Sequence, residues 1–270
     1  MKFSLLTLLL LFYFSFSSCS SSKKLVDIQD ELTTKQMSTD RFFNSKQIIT
    51  YISIPKNSKN YELDFAHAGN ELIKTSELAQ TNNALAAING GFFNMKKGGS
   101  VTYFEKNDQV ISESTTPAAD RKSDTYVLNG AIVIDNEHNL VMEEFNDDQH
   151  YIDSPDELAV LVTGPILLEN GTALKLKETS FVTKRHPRSC LCTNDQSIFL
   201  IAIDGRSDVA EGMNLKETQE FLLTLGCKDA INLDGGGSTT LWNKESGIVN
   251  NPSDKTGERP VSNILYIRNF

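Results

Sequence analysis

Three apolar, strand-forming stretches in this chain each stop at a polar side chain followed at once by glycine. Ala84 to Ile88 runs into Asn89-Gly90-Gly91, Ser197 to Ile203 into Asp204-Gly205-Arg206, and Ala230 to Leu233 into Asp234-Gly235-Gly236-Gly237-Ser238. Glycine at such a point lets a ligand approach the backbone and leaves amide N–H groups free to meet an anionic oxygen. Taken singly, each stretch also reads as an Asx turn whose side chain caps local backbone. Three in one chain, one with a triple glycine, point instead to neighbouring strand ends that gather Asn89, Asp204 and Asp234 into one pocket.

The residues between the second and third stretches support that picture. Asn214 is placed as a helix N-cap with Glu217 three positions on, and Leu215, Thr218, Phe221, Leu222 and Leu225 form a helical stripe that Gly226 ends. Strand, turn, helix and strand in this order predict that the two flanking strands run parallel, with their carboxyl ends on one side. Arginines stand close in sequence, in Arg185-His186-Pro187-Arg188 and in Glu258-Arg259. Their planar guanidinium suits bidentate phosphate recognition, although each alone is more often a surface ion pair. The net charge of -9 leaves no general basic surface for nucleic acid, so an anionic ligand must be met by locally placed cations.

Around this unit the sequence predicts a mostly antiparallel β framework, hence an α+β fold with the site on a local strand-helix-strand unit. Strands are expected at Gln47 to Ile54, Asp124 to Ile134, Ala159 to Leu168 and Leu174 to Leu176, and a short helix at Thr75 to Asn83 with Thr75 as its cap. The acidic stretch Asn139 to Asp153 reads as a solvated loop. Of the four cysteines, Cys190 and Cys192 share one face of a strand and either could pair with Cys227. All three read mainly as buried small residues rather than a disulfide framework or a zinc site.

The N-terminus opens with Met1-Lys2, an apolar run from Leu5 to Phe16, and Ser17-Ser18-Cys19. That is the layout of an export signal, too short for a mature membrane span of about 20 residues. Its ending resembles a bacterial lipobox. Residues 1–18 are therefore expected to be removed and Cys19 lipidated, anchoring the protein to the cell envelope on a periplasmic or surface face. Residues 19–45 then form a tether and linker, and residues 46–270 the main domain.

Taken in order, Asn89-Gly-Gly-Phe-Phe93, Arg185 to Ser189, Asp204-Gly-Arg206 with Gly212-Met213, Asn232 to Ser238, Asn251-Pro-Ser-Asp254 and Glu258 to Asn263 resemble the motif series of the phosphodiester glycosidase family. Cys190-Leu191-Cys192 departs from that series, where small apolar residues leading into a glycine are expected. The resemblance implies cleavage at the anomeric carbon of an N-acetylglucosamine-like sugar joined to a phosphodiester, releasing free sugar and a phosphomonoester.

Within that reading Asp204, Asp234 and, more remotely, Glu211 are the catalytic candidates. Arg188 and Arg259, with the amides of Gly235, Gly236, Gly237 and Ser238, are placed on the phosphate, Asn89 on a sugar hydroxyl or acetamide, and Gly90, Gly91 and Arg206 among the other substrate-binding residues. No cofactor is expected, although Asp204 and Asp234 could hold a divalent cation; the four histidines show no ligand spacing. The expected partner is a sugar phosphodiester or phosphorylated glycan. Two rivals fit the same residues: a metal-dependent phosphodiesterase cutting P–O, and a non-catalytic envelope lipoprotein that binds phosphorylated glycans.

Overall fold

The structure is a computed structural model that describes residues 31–123 and 126–270; Cys19 and the export signal lie outside the described residues. Three antiparallel sheets carry the fold. The largest has seven strands in the order Thr33–Thr39, Gln47–Pro55, Ser197–Ile203, Arg188–Thr193, Asp229–Asn232, Ile166–Glu169 and Thr172–Ala173. A second sheet runs Gln109–Ser112, Phe104–Lys106, Glu157–Thr163, Gly130–Asp135 and Leu140–Glu144. A third runs Gly247–Ile248, Leu241–Asn243, Ala86–Asn89, Asn263–Asn269 and Tyr61–His67. This is the expected α+β framework.

The apolar strand runs follow from where these sheets sit. All three contribute to one core, with Ile52, Phe65, Ile88, Phe104, Ile132 and Leu200 among its members. On the far face of the large sheet, Ile49, Phe199, Ile201 and Ile203 pack with Phe221 and Leu222 of the helix Leu215–Thr224. Ser197 to Ile203 is therefore covered on both faces, with Ile198, Leu200 and Ala202 in one cluster and the alternate residues in the other. A strand buried on both sides needs a continuous rather than an alternating apolar sequence.

The strands Ser197–Ile203 and Asp229–Asn232 are parallel, as expected. They are not neighbours, however, because Arg188–Thr193 lies between them and pairs antiparallel with both. Asn214 and Glu217 form the expected reciprocal capping box on the helix.

Several expectations are corrected. The segment read as linker contains the edge strand Thr33–Thr39, held to Gln47–Pro55 in register from Thr33↔Ser53 to Thr39↔Gln47. Its largely exposed polar side chains carry no apolar alternation, so the backbone ladder that fixes it leaves no mark in the sequence. The run Ala159 to Leu168 is two strands in different sheets, divided at Gly164-Pro165. The strand expected from Asp124 begins at Gly130, and Thr172–Ala173 replaces the strand expected at Leu174.

The first long helix is Thr75–Thr81, preceded by Lys74 rather than capped by Thr75. The carboxylate of Glu258, distant in sequence, accepts from Ser76 N–H (2.7 Å) and Ser76 Oγ (2.6 Å) instead. The acidic stretch Asn139 to Asp153 is structured too, as the strand Leu140–Glu144 and the helix Asp148–Ile152 capped by Asp147. Asp148 there accepts from Ser114 and Arg121, so this charge serves packing rather than a solvated loop. All three cysteines are buried, as expected, and of the two pairings left open Cys192–Cys227 is the one formed, with Cys190 a free thiol; reading them mainly as packing residues is corrected for that pair.

Candidate active site

The three glycine-ended strands do meet, and Asn89 is the knot. Its Oδ1 accepts from Ser189 Oγ (2.6 Å) and Thr240 N–H (3.1 Å), while its Nδ2 donates to the Asp234 carbonyl (2.6 Å). The Asp234 N–H in turn donates to the Gly90 carbonyl (3.0 Å). Asn89 is fully buried, and these bonds occupy the groups that sequence reasoning had offered to a sugar. It fixes the strand ends relative to one another, which is a positioning role. Gly90 and Gly91 belong to the same knot, since their N–H groups donate to the Asn263 carbonyl and to Asn263 Oδ1.

Asp234 stands at the centre of the polar groups that remain. Its Oδ1 accepts from the Gly235 N–H at 2.9 Å, and the Ser238 hydroxyl and the cations Arg259 and Arg206 lie within its electrostatic reach. Burial pushes its carboxyl up to about 6, against the pull of Ser238, Gly235, Arg259 and Arg206. Desolvation therefore outweighs two guanidinium groups, a balance that perturbs the group into the range where acid-base chemistry operates.

The triple glycine explains how the arginines come so close. At Gly236, which has φ +62°, an added Cβ would meet the Arg206 guanidinium nitrogens at 2.8 and 3.1 Å. At Gly237 it would meet Arg259 Nη2 at 2.1 Å and Asp254 Oδ1 at 2.2 Å. Side chains at either position would displace the cations from above the loop. Arg259 is oriented by a bidentate pair with Asp254 (2.8 and 3.0 Å) and reaches toward Ser238 Oγ at 3.5 Å. Arg206 is exposed and donates toward His186 Nδ1 at 3.4 Å. Burial, then Arg188, Arg206 and Lys184, lowers the His186 pKa, consistent with a neutral ring that accepts from Arg206.

Asp204 is buried on the same side. Its Oδ1 accepts from Asn250 Nδ2 (3.1 Å) and Asn251 N–H (3.0 Å), and its Oδ2 from Asn251 Nδ2 (2.7 Å). Burial raises its pKa, and these three donors pull it back. Asn250 also bonds the Thr239 carbonyl and the Leu241 N–H, so Asp204 ties the loop after Ile203 to the loop after Gly237. A cleft of about 150 Å³ opens beside it, lined by Arg206, Val209, Pro252 and Ser253 among others.

Two expected residues lie elsewhere. Arg188 is 1 % exposed, and its guanidinium donates to the carbonyls of Met213 (2.9 Å), Phe181 (2.7 Å) and Lys184 (3.0 Å) while lying 4.9 Å from the Phe181 ring. It is a core cross-link rather than an open phosphate ligand, and burial lowers its pKa to about 10. Glu211 is turned to Arg185 at 2.7 Å, on the outer side of the capping box. Conversely, His186, Asn250, Asn251 and Asp254 join the site without having been among the candidates. Their signal was present, because they fall inside the motif stretches Arg185 to Ser189 and Asn251 to Asp254 or next to them.

Among the described residues no group of three or more histidine, cysteine, aspartate or glutamate side chains is placed to hold a metal ion, and no helix is long and apolar enough to cross a membrane. A cavity of about 390 Å³ lies at the opposite end of the strands, around Ile54, Tyr61 and Ile198, away from all the groups described above.

Fold and site together define a β-rich framework that presents a half-buried carboxylate on a glycine loop with two arginines over it, an arrangement suited to receive an anionic group. A family model described as phosphodiester glycosidase matches residues 82–268, and the chain belongs to that family. The bovine protein N-acetylglucosamine-1-phosphodiester alpha-N-acetylglucosaminidase is 28% identical over 181 residues, covering 61% of this chain and 32% of that protein. The human protein of the same name is 27% identical over the same length, covering 61% and 33%. The chain thus spans about a third of the length of these curated relatives.

Among solved structures, the catalytic domain of the zebrafish protein of that name, auto-inhibited by its pro-peptide, superposes with a TM-score of 0.68 at 20% identity. It covers 88% of this chain and 83% of that one. A Synechocystis protein superposes with a TM-score of 0.65 at 16% identity, covering 88% and 62%. These two likenesses establish a shared fold.

Proposed function

We propose that the protein hydrolyses the glycosidic bond between an N-acetylglucosamine-like sugar and a phosphodiester. Water oxygen bonds to the anomeric carbon, the C1–O bond breaks with its electron pair going to the leaving oxygen, and the products are free sugar and a phosphomonoester. Family membership supports this reading, and the observation that carries it is the Asp234 carboxylate set among Arg206, Arg259 and the Gly235 to Ser238 loop.

The leaving phosphate is already a weak base, so strong protonation by a general acid matters less than positive charge at the departing oxygens. Arg206 and Arg259 supply that charge, with the loop amides as support. Asp234 acts as the carboxylate that meets the developing positive charge on the sugar, as nucleophile or as base toward water. Its raised pKa makes it a better base than an exposed aspartate while leaving it ionised at neutral pH. Asp204 holds the sugar side of the cleft, and His186 and Asp254 orient the two arginines. Glu211 and Arg188 have no part in the chemistry.

We assign no cofactor, because the two arginines provide the charge that a divalent cation would bring. Loss of activity on chelation, restored by a named metal, would overturn this assignment. We further propose export through residues 1–18 and lipid anchoring at Cys19 on the cell envelope. The activity is tested by incubating a form begun after Cys19 with an N-acetylglucosamine-α-1-phosphodiester and following products by phosphorus NMR with a free-sugar assay. Free sugar with a new phosphomonoester is expected, whereas sugar 1-phosphate would move the cut to the P–O bond.

A further inference from the structure

The cavity at the end of the strands remote from Asp234 has no part in the proposed reaction, and its lining is of a different kind. Its volume of about 390 Å³ falls within the roughly 300–1,000 Å³ usual for small-molecule sites. Ile54 and Ile198 of the first sheet, Ile134 of the second and Leu63 of the third form its floor, where the core common to the three sheets reaches the surface. Half-buried Leu140 and Tyr61 carry the apolar wall outward. At the lip stands Phe270, 74% exposed, its ring edge-on to that of His138 with 5.3 Å between centroids. Such a floor disfavours a sugar, because hydroxyl groups pressed against aliphatic side chains lose water and gain no partner. An apolar chain gains from the same contact, since its own surface leaves water.

The rim carries both signs of charge, on different turns. Lys56 and Lys59 stand in the turn between the strands Gln47–Pro55 and Tyr61–His67, and neither ammonium has an ion pair among the described residues. Glu137 stands in the turn between Gly130–Asp135 and Leu140–Glu144, where its carboxylate meets only Asn139 Nδ2, at 3.5 Å. The other acid of the lining, Glu62, is already paired with Arg268 and lies 3.1 Å from His138 Nδ1. Two open cations and one open anion therefore stand above an apolar floor. We propose that this cavity is a lipid site, which takes one apolar chain carrying a zwitterionic head of the phospholipid type. The chain lies over Ile54, Ile134 and Ile198, the phosphate meets Lys56 and Lys59, and the ammonium meets Glu137. Phe270 adds an aromatic face, a favourable partner for a quaternary ammonium. A head with phosphate alone brings like charge to Glu137, one with ammonium alone brings like charge to the lysines, and a neutral head engages neither. The inference is independent of the proposed glycosidase activity.

The site is read by the isoleucine methyl NMR spectrum of a form begun after Cys19, titrated with decylphosphocholine below its micelle threshold. The methyls of Ile54, Ile134 and Ile198 should shift in a saturable way, while those of Ile49 and Ile203, paired at the catalytic end, stay in place. Decyl phosphate, decyltrimethylammonium and decyl maltoside should each bind about three- to tenfold more weakly. The double variant Lys56→Ala, Lys59→Ala should weaken decylphosphocholine by a similar factor but not decyltrimethylammonium. Glu137→Gln should weaken decylphosphocholine but not decyl phosphate. All three side chains are exposed, so the variants should fold as the wild type does. No shift at Ile54, Ile134 and Ile198, equal shifts at Ile49 and Ile203, or decyl maltoside binding as tightly as decylphosphocholine would each overturn the site. None of these readings needs turnover, so the lipid site and the glycosidase activity stand or fall separately.

Discussion

At the residue scale the proposed role of Asp234 ties turnover and stability to one titration. Its folded pKa of about 6 lies above the ordinary 3.8, so between those values the folded protein holds a proton that the unfolded chain has lost. Stability from this group is greatest below about pH 4, falls as pH rises toward 6 and stays lower above it by about 3 kcal/mol. Asp234→Asn is therefore expected to raise Tm at pH 7 relative to pH 4.5 while lowering kcat by at least about 10²-fold. Thermal unfolding at the two pH values and steady-state kinetics read both effects. Because the carboxylate form does the work, kcat/KM should rise with pH through about 6 in the wild type. In Arg259→Ala that limb should move to higher pH, since a cation favouring the ionised form is gone. A pH profile unmoved by Arg259→Ala would detach Asp234 from the limb.

Two of the three arginines expected to bind substrate, Arg206 and Arg188, separate at this same scale. Arg206→Ala should raise KM by about 10- to 100-fold with less effect on kcat, because an exposed cation over the loop contributes binding to ground and transition states alike. Arg188→Lys should leave KM nearly unchanged and destabilise the fold by about 1–3 kcal/mol for each carbonyl its single ammonium fails to cover. Kinetics beside urea unfolding distinguish the pair. The grouping of Asp204, Asp234 and Arg259 at the strand ends was legible in the sequence because each directly follows a strand or joins a short motif. The structural use of Arg188 and Asn89 was not, since nothing in Arg-Ser-Cys or Asn-Gly-Gly says whether a side chain turns toward solvent or toward buried carbonyls.

At the scale of elements, legibility followed burial. The runs at Ser197 to Ile203 and Ala230 to Leu233 announce themselves because they are covered on both faces, and the helix between them because Asn214 and Glu217 cap it. The edge strand Thr33–Thr39 does not, since it is fixed by its backbone ladder and by polar side-chain contacts such as Gln36 to Thr50, neither of which leaves an apolar pattern. The Cys192–Cys227 disulfide was legible only in part, as the sequence left Cys190 and Cys192 both open to pairing with Cys227 and spacing along the chain does not choose between them. That bond closes a segment of 35 residues holding the Asp204 turn and the capped helix. Loop-closure entropy predicts that the double variant Cys192→Ala, Cys227→Ala loses about 4 kcal/mol of stability. Denaturant unfolding of variant and wild type under oxidising conditions checks this. A loss under about 1 kcal/mol would mean that the sheet and the helix packing already constrain the segment.

At the scale of the whole molecule the fold is polar from end to end. Asn89, Asp204, Asp234 and Asn263 all stand at one end of their strands, while the first described residues enter at the other, where Thr33 pairs with Ser53 beside Ile54. The strand ends carrying chemistry could be grouped from the sequence. Which end the chain enters could not, because that depends on the polar edge strand and on its register. In the proposed anchored form the first described strand thus begins at the end remote from the cleft. Cys19→Ser is accordingly expected to move the protein from the detergent phase to the aqueous phase in a phase-partition assay. Its kcat/KM on a soluble sugar phosphodiester should match that of the proposed anchored form, since the strand Thr33–Thr39 begins away from the groups around Asp234. Aqueous partitioning of the wild type would remove the anchor, and a large change in kcat/KM on release would contradict the separation of tether and site.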